Sequence, residues 1–314
     1  NIEKGEWIIG WGYDPDLLDE GRHPNKFDLD KDFPDNPVYL NHVSGHLSTM
    51  NSRALELVGY TSETPNPAGG EIYRVNNSTE PTGLISETAM AQAREALPKL
   101  PAAELLDNLK VTLEQYASNG ITTANDGFTS ALQIQQLMEA QETMDFPIDV
   151  VGLLGFTDLQ AYMKEPNFEF AKYNNRVKIA GVKIVADGSP QGKTAKMTDP
   201  YLTPVPGCAH DCTGITLINQ EQLDGLLTTL YGKGIQAFTH CNGDGAIDMY
   251  LNAHEKALAV TDKKSKDLRS VIIHSQFMRP DLIKSYAQYG LIPSYFTNHT
   301  YFWGDVHMNN MGQE

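Results

Sequence analysis

From about Ala102 onward the chain alternates between long amphipathic stretches and short β-branched or apolar runs, and this alternation restricts the fold more than any other feature. Helical periodicity runs through AELLDNLKVTLEQYASNG, ALQIQQLMEAQETM, QEQLDGLLTTLYGKG, GAIDMYLNAHEKALAV and PDLIKSYAQYG. Between them lie ITTAND, IDVVGLLG, VKIAGVKIVADGS, IQAFTHCNGD, SVIIHSQ and LIPSYF. Such a pattern calls for a parallel sheet with crossover helices. Helices that end in NG, KG and YG just before a strand fit glycine at the residue after the helix, feeding a short αβ loop. A doubly wound sheet and a closed barrel both satisfy the periodicity. The polar residues favour the barrel: Asp126, Lys183, Asp187, His240 and His274 fall at strand C-terminal ends, which a barrel gathers into one mouth. The expected class is therefore α/β, a (β/α)8 barrel. The six strands countable here are fewer than a barrel's eight, so the barrel is incomplete within this part of the chain.

Residues 1–101 read differently. Short aromatic and apolar runs are broken by DPDLLDEGRHPN, TPNPAGG and NNSTEPTG, all rich in turn formers, which predicts loops, a few strands and a short helix near Thr49–Val58. We place the domain boundary there, with a loop-rich subdomain over 1–101 and the barrel portion over 102–314.

Composition narrows the partners. The 24 basic and 40 acidic residues give a net charge of −16, which repels nucleic acid and anionic membrane surfaces alike. No apolar run reaches the roughly 18 residues of a membrane span, and the first residues lack the basic and apolar regions of a signal peptide. Three cysteines, Cys208, Cys212 and Cys241, do not make a disulfide scaffold, and a Cys208–Cys212 pairing within one loop is left open. The expected partner is a small molecule. Oligomeric state and compartment are not legible.

Two histidines occupy equivalent places on successive βα units: His240 closes QAFTH and His274 closes SVIIH. Neutral imidazoles on rigid strand ends lose little freedom on binding Zn²⁺. A pair of hydrogen-bonded core histidines is the plain alternative. Lys183 sits in VKIVADGS, where a buried, unpaired ammonium is costly. It suits a Schiff base, or a carbamate formed with CO₂ that could bridge two metal ions, and otherwise an ion pair with Asp187 or Asp126.

The segments GWGYD, PVYLNHVSGHLSTMNSRAL, PNPAGGEIYR, PTGLISETA, GITTANDG, VKIVADGSPQGKTA, FTHCNGDGA and IIHSQ occur in an order that resembles the YtcJ-like metal-dependent hydrolases of the amidohydrolase superfamily, amidohydrolase family 3. The similarity spans nearly the whole chain. It implies one or two divalent ions, normally Zn²⁺, at the barrel mouth, and hydrolysis of C–N bonds in amides, formamides or cyclic ureas. Position by position, His240 and His274 match histidine ligands, and Lys183 matches the carbamylated bridging lysine. His46 and Asn51 fall in a segment that resembles the family's GH…NS stretch near the substrate, while Glu87 could reach the mouth and Asp187 and Ser189 could orient Lys183 or the substrate. His46 and Asn51 also read as a loop histidine and a helix cap, and Glu87 as an acidic residue favoured in a first helical turn.

Two pieces of the family pattern are absent. No His-x-His pair occurs, His42 and His46 being the most closely spaced histidines, and no late-strand Asp follows FTNHTYFWGD. The expectation is a chain that begins after the first barrel strand, ends before the last, and holds only part of its ligand set. Rival readings are a Schiff-base aldolase barrel using Lys183 and a non-catalytic binding protein on a decayed hydrolase barrel. Lower expectations fall on Ser189 and Asp244, on an aromatic pocket of Trp7, Trp11 and Tyr13, and on CAHDC with His210 as an adventitious metal loop.

Overall fold

The computed structural model describes residues 2–164 and 169–312. Five strands lie in the first part: β1 (Ile8–Tyr13), β2 (Val38–His42), β3 (Leu47–Met50), β4 (Gly70–Arg74) and β5 (Pro81–Glu87). Seven follow: β6 (Thr123–Thr129), β7 (Asp149–Gly155), β8 (Tyr173–Asn174), β9 (Val177–Val185), β10 (Ala237–Cys241), β11 (Val271–His274) and β12 (Ile292–Ser294). All six strand segments read from the second part of the sequence are present.

Those six strands form one sheet in the order β6-β7-β9-β10-β11-β12, every neighbouring pair parallel, with the short β8 antiparallel to β9. The order never reverses. A doubly wound sheet has a switch point where it does, whereas a barrel advances strand by strand around its axis. The sheet is thus a parallel arc of a barrel. All of the Lys183, His240 and His274 positions lie on adjacent strands, β9, β10 and β11, with Val185 opposite His240 and Cys241 opposite His274.

The crossover helices follow from local signals. In Gln220–Lys233, Asn219 accepts from the Gln222 amide while the Gln222 side chain reaches back, a reciprocal cap, and the helix stops at Gly234, whose φ of 69° is left-handed. Leu223, Leu227, Leu230 and Tyr231 recur at helical spacing and are fully buried. They pack on Val182, Ile184, Ala237 and Ile272 of the sheet and on Ile247 and Tyr250 of the following helix, Asp244–Thr261. At about 1.5–3 kcal/mol for each fully buried large side chain, this stripe holds the helix where isolated propensity would not.

The first part forms a mixed five-stranded sheet, β1-β2-β3-β5-β4, with β1 and β2 parallel and the remaining pairs antiparallel. It has its own core of Tyr39, Met50, Ile72, Ile85 and Met90. The short helix expected near Thr49–Val58 spans Ser52–Val58 instead. Thr49 and Met50 remain in β3, because Asn51 caps the helix by accepting from the Ala54 amide at 3.0 Å. The two sheets meet along the segment after β9. A Cβ on Gly192 would come within 2.2 Å of Leu47 Cδ1, so any larger residue there would force the Leu47 side chain to shift.

Inside the helical layer His254 is fully buried, bonded through Nδ1 to the Tyr231 hydroxyl and through Nε2 to Ser265 Oγ at 2.8 Å. Desolvation pushes its pKa down from 6.5 to about 4. The unfolded chain therefore takes up the proton first as pH falls, so stability is complete above about pH 6.5 and declines until the folded pKa is passed, by roughly 3 kcal/mol from this group. Melting curves between pH 7 and pH 4 should show that decline, and His254→Gln, which cannot titrate, should make it shallower, the other buried histidines still contributing. Equal slopes for both proteins would remove His254 as a cause.

Candidate active site

The C-terminal ends of β9, β10 and β11 converge with the start of β3 and the end of β5 on one buried cluster of titratable groups. His240 and His274 stand with ring centroids 4.5 Å apart, nearly perpendicular, and His46 lies 5.1 Å from His240 on the other side. His46 Nδ1 pairs with Glu87 Oε2 at 2.8 Å. Lys183, 6% exposed, completes the group from β9.

Asp187 organises it. The residue lies just past β9 and is wholly buried. Its Oδ1 accepts from the Asn242 amide at 2.9 Å and faces His240 Nδ1 at 3.1 Å; its Oδ2 accepts from the amides of Gly243 at 2.8 Å and Lys196 at 2.9 Å. Desolvation raises its pKa to about 7 against the pull of those amides. Three backbone donors leave the carboxylate only acceptor roles towards His240, so the imidazole places its proton on Nδ1 and its lone pair on Nε2. Asn242 Nδ2 lies 3.3 Å from that Nε2 and donates to it.

Burial sets the charge states of the rest. Desolvation, reinforced by Lys183 and His46, holds His240 well below the ordinary imidazole range. It pushes His274 down to about 2 and Lys183 down to about 8. Burial also opposes a charged His46, but the adjoining Glu87 carboxylate prevails and the imidazole's pKa is raised. The cluster thus holds two neutral imidazoles, a lysine whose amine is within reach of neutrality, and one ion pair. Glu87 Oε1, Asn242 Oδ1 and His274 Nδ1 are buried without a hydrogen-bond partner. Glu87, His274 and Ser275 have φ of 51°, 72° and 46°, a left-handed backbone that is costly for non-glycine residues.

Lys183, His240, His274, His46, Glu87 and Asp187 are therefore brought together. Asn51 is not: its side chain accepts from Val38 and Ala54 and donates to the carbonyls of Phe33 and Asn36, so it is a structural cap with no group left for a ligand. Asp126 also stands apart, on β6, lining a groove between the helices Ala102–Ser118 and Ala131–Thr143. Asp244 binds Thr198 and Arg279 and does not cap its own helix. Ser189 serves a tight turn by accepting from the Gly192 amide. Trp11 is 69% exposed, so Trp7, Trp11 and Tyr13 do not form one apolar pocket. Cys208 and Cys212 are disulfide-bonded, and His210 between them is exposed. Sequence reading passed over Asn242, whose only signal is its place two residues after His240. It also passed over His42, buried at the end of β2 with an unpartnered Nε2.

The donor chemistry fits part of a divalent metal site. His240 is oriented by a carboxylate behind it, as metal-ligating histidines commonly are, and His274 Nδ1 lacks any partner. Among the described residues, however, no three His, Cys, Asp or Glu side chains are grouped so as to hold an ion.

A model of the amidohydrolase family matches residues 1–313. The chain belongs to that family. It is 26% identical to the putative amidohydrolase YtcJ of Bacillus subtilis (strain 168), over 91% of this chain and 52% of that protein. It is 27% identical to the N-substituted formamide deformylase of Arthrobacter pascens, over 81% of this chain and 47% of that protein. The chain spans about half the length of the curated relatives it matches. Among solved structures, an uncharacterized metal-dependent hydrolase from Pyrococcus furiosus superposes with a TM-score of 0.66 at 23% identity, over 98% of this chain and 59% of that one. At that identity the likeness bears on the fold alone, and it supports the barrel assignment.

The packing around Asp187 is tight enough to test. A Cβ on Gly188 would lie 2.1 Å from Thr194 Oγ1 and 2.2 Å from Glu87 Oε1. Gly188→Ala should cost about 1–3 kcal/mol of stability through overpacking. Asp187→Asn turns an amide donor towards backbone N–H groups and should cost at least about 2 kcal/mol. Urea unfolding measures both, and a loss below about 0.5 kcal/mol for either would contradict the geometry.

Proposed function

We propose that this chain contributes the larger part of the active site of a metal-dependent hydrolase that cleaves C–N bonds in small amides, formamides or cyclic ureas. The observation that carries the reading is the His240–His274 pair, two neutral imidazoles on adjacent strand ends, one of them backed by the Asp187 carboxylate. Family membership supports the hydrolase class. The formamide substrates are drawn from the printed name of the Arthrobacter pascens relative.

His240 and His274 would be the imidazole donors to the ion. Lys183 would be the third donor, its amine first condensed with CO₂ to a carbamate that supplies anionic oxygen. Two considerations support that modification: burial lowers the lysine's pKa, leaving more of it as free amine, and the described carboxylates and histidines do not complete a three-donor group by themselves. The chemistry that a bound Zn²⁺ or similar ion supplies is Lewis acidity, which polarises a carbonyl and acidifies water.

The chain's own residues do the rest. Asp187 fixes the His240 tautomer and ring plane, so that the lone pair on Nε2 points into the cluster. Asn242 Nδ2 donates to that lone pair and would have to move for Nε2 to serve as a donor to an ion. The His46–Glu87 pair places a cationic donor beside His240, where it can hydrogen-bond a carbonyl oxygen as negative charge develops on it.

Metal analysis of the purified chain in bicarbonate buffer is expected to give up to one Zn²⁺ per chain, lost to chelator and strongly reduced in His240→Ala, His274→Ala and Lys183→Ala. Intact-mass measurement should add the mass of CO₂ at Lys183. Wild-type zinc content in Lys183→Ala would defeat the carbamate assignment, and wild-type content in both histidine variants would defeat the site. On N-substituted formamides the 314-residue chain alone is expected to be inactive; chelator-sensitive turnover would show that its donor set is sufficient.

A further inference from the structure

The segment after β9 runs out from the barrel arc and returns to it. Residues 194–197 form the outgoing limb and residues 212–217 the returning one, joined by Ile215 N to Thr194 O at 3.0 Å and Met197 N to Thr213 O at 2.8 Å. One rung further out, the Tyr201 amide donates to Cys212 O at 2.9 Å. The limbs touch backbone to backbone, since a Cβ on Gly214 would fall 1.9 Å from Ala195 O. At its inner end the returning limb meets Asp187: Leu217 N donates to Ala186 O at 2.9 Å, and Thr216 pairs with Asp187 in an antiparallel bridge. The Lys196 amide, one of the three that hold the Asp187 carboxylate, belongs to the outgoing limb.

The outer end of this ladder is closed by the Cys208–Cys212 disulfide. Cys212 is itself the acceptor of the last rung. Tyr201, which donates to it, is buried, and its hydroxyl donates in turn to Ala195 O at 2.8 Å. Ala195 is peptide-bonded to Lys196. The disulfide is therefore linked to Asp187 through Cys212, Tyr201, Ala195 and Lys196, each step a hydrogen bond or a peptide bond.

Little besides the disulfide fastens the tip. Ala209, His210 and Asp211 are exposed, and among the described residues none of their backbone amides donates a hydrogen bond. Asp211 also has a left-handed φ of 52°, costly for a non-glycine residue. Cys208 is exposed and Cys212 half-buried, so a reductant reaches the sulfurs, and accessible disulfides are the readily reduced ones. Cys241 is fully buried and does not compete as a third thiol.

We propose that Cys208 and Cys212 form a reversible thiol–disulfide switch that sets how firmly Asp187 is held. A dithiol reductant attacks one sulfur, forms a mixed disulfide and leaves as its own cyclic disulfide; two electrons and two protons pass to the chain, which ends with two thiols. Reduction releases residues 208–211, and the rung at Cys212 opens. Tyr201 then loses its outer anchor, and the Lys196 amide is freed from Asp187, which keeps the amides of Asn242 and Gly243. A small-molecule disulfide reverses the step. The switch acts on the shape of the cluster and requires no ion or substrate there, so it stands or falls separately from the hydrolase reading.

Amide hydrogen exchange of the 314-residue chain, read by mass spectrometry before and after dithiothreitol, tests it. Under native conditions dithiothreitol followed by iodoacetamide should label Cys208 and Cys212 and leave Cys241 unlabelled. Exchange at Met197 and Tyr201 should rise at least about tenfold and at Lys196 at least about threefold, while β10 and β11 stay unchanged. The Cys208→Ser/Cys212→Ser double variant should match the reduced chain in either buffer, and oxidised glutathione should restore slow exchange in the wild type alone. A disulfide that resists dithiothreitol until the chain is denatured overturns the proposal. So do unchanged exchange at Lys196 after full labelling, and faster exchange across β10 and β11 alike, which would make the disulfide a staple of the whole fold. Free thiols at both positions that oxidised glutathione leaves unpaired would overturn it as well.

Discussion

The buried carboxylate of Asp187 is the contact on which the site depends. It joins three parts of the chain: the end of β9, the segment at Lys196 nine residues on, and the distant turn after β10. A carboxylate without water is costly, and the raised pKa records that cost. Three backbone N–H groups offset it, and they can do so only if the β10 turn and the 187–196 segment adopt one relative position. The position of His240 follows, because its Nδ1 must meet the remaining Oδ1 acceptor direction. A surface ion pair could not impose this order, since water would substitute for either partner at little cost.

Most of the barrel arc was legible because its signals are local. The central parallel strands β7, β9 and β10 are largely buried and read as short apolar runs, and several helices carry their own caps, such as Asn219 with Gln222 and the left-handed Gly234 and Gly290. The sequential strand order is not written in periodicity. It was reached through the polar residues at strand ends, which need a common mouth. The smaller sheet was less legible. Parallel pairing of β1 with β2 and the β3-β5-β4 order are long-range choices fixed by burial of Tyr39, Met50 and Ile85, and no short-range pattern announces them.

The same division explains the site. His240, His274 and Lys183 stand out because a polar residue in an apolar strand needs a reason. Asn51 stood out through its neighbours in a motif, yet its amide is consumed by four backbone groups, a role that becomes visible only when Phe33, Asn36 and Val38 are brought to it. Gln191 is the opposite case: in sequence it is a polar residue in a Gly-containing loop, and only folding leaves its Oε1 buried without a hydrogen-bond partner.

Three of the left-handed non-glycine residues lie at the same place. Left-handed non-glycine residues cost on the order of 1–3 kcal/mol each, so Glu87, His274 and Ser275 persist only where neighbouring bonds hold them. Glu87 is held by its amide on the His46 carbonyl, and Ser275 by its amide on the Cys241 carbonyl and its hydroxyl against Ile272 and Tyr286. Glu87 and His274 each end a strand and Ser275 follows directly, and each turns a side chain that regular continuation would have sent elsewhere. Relaxing Glu87 would break its pairing with His46, and relaxing His274 would separate the two imidazoles. The strain is therefore coupled to the convergence of the cluster: the tertiary bonds that place Asp187 and His240 also oppose the backbone's return to its preferred conformation, so the site holds its shape through the fold around it and not through local preference.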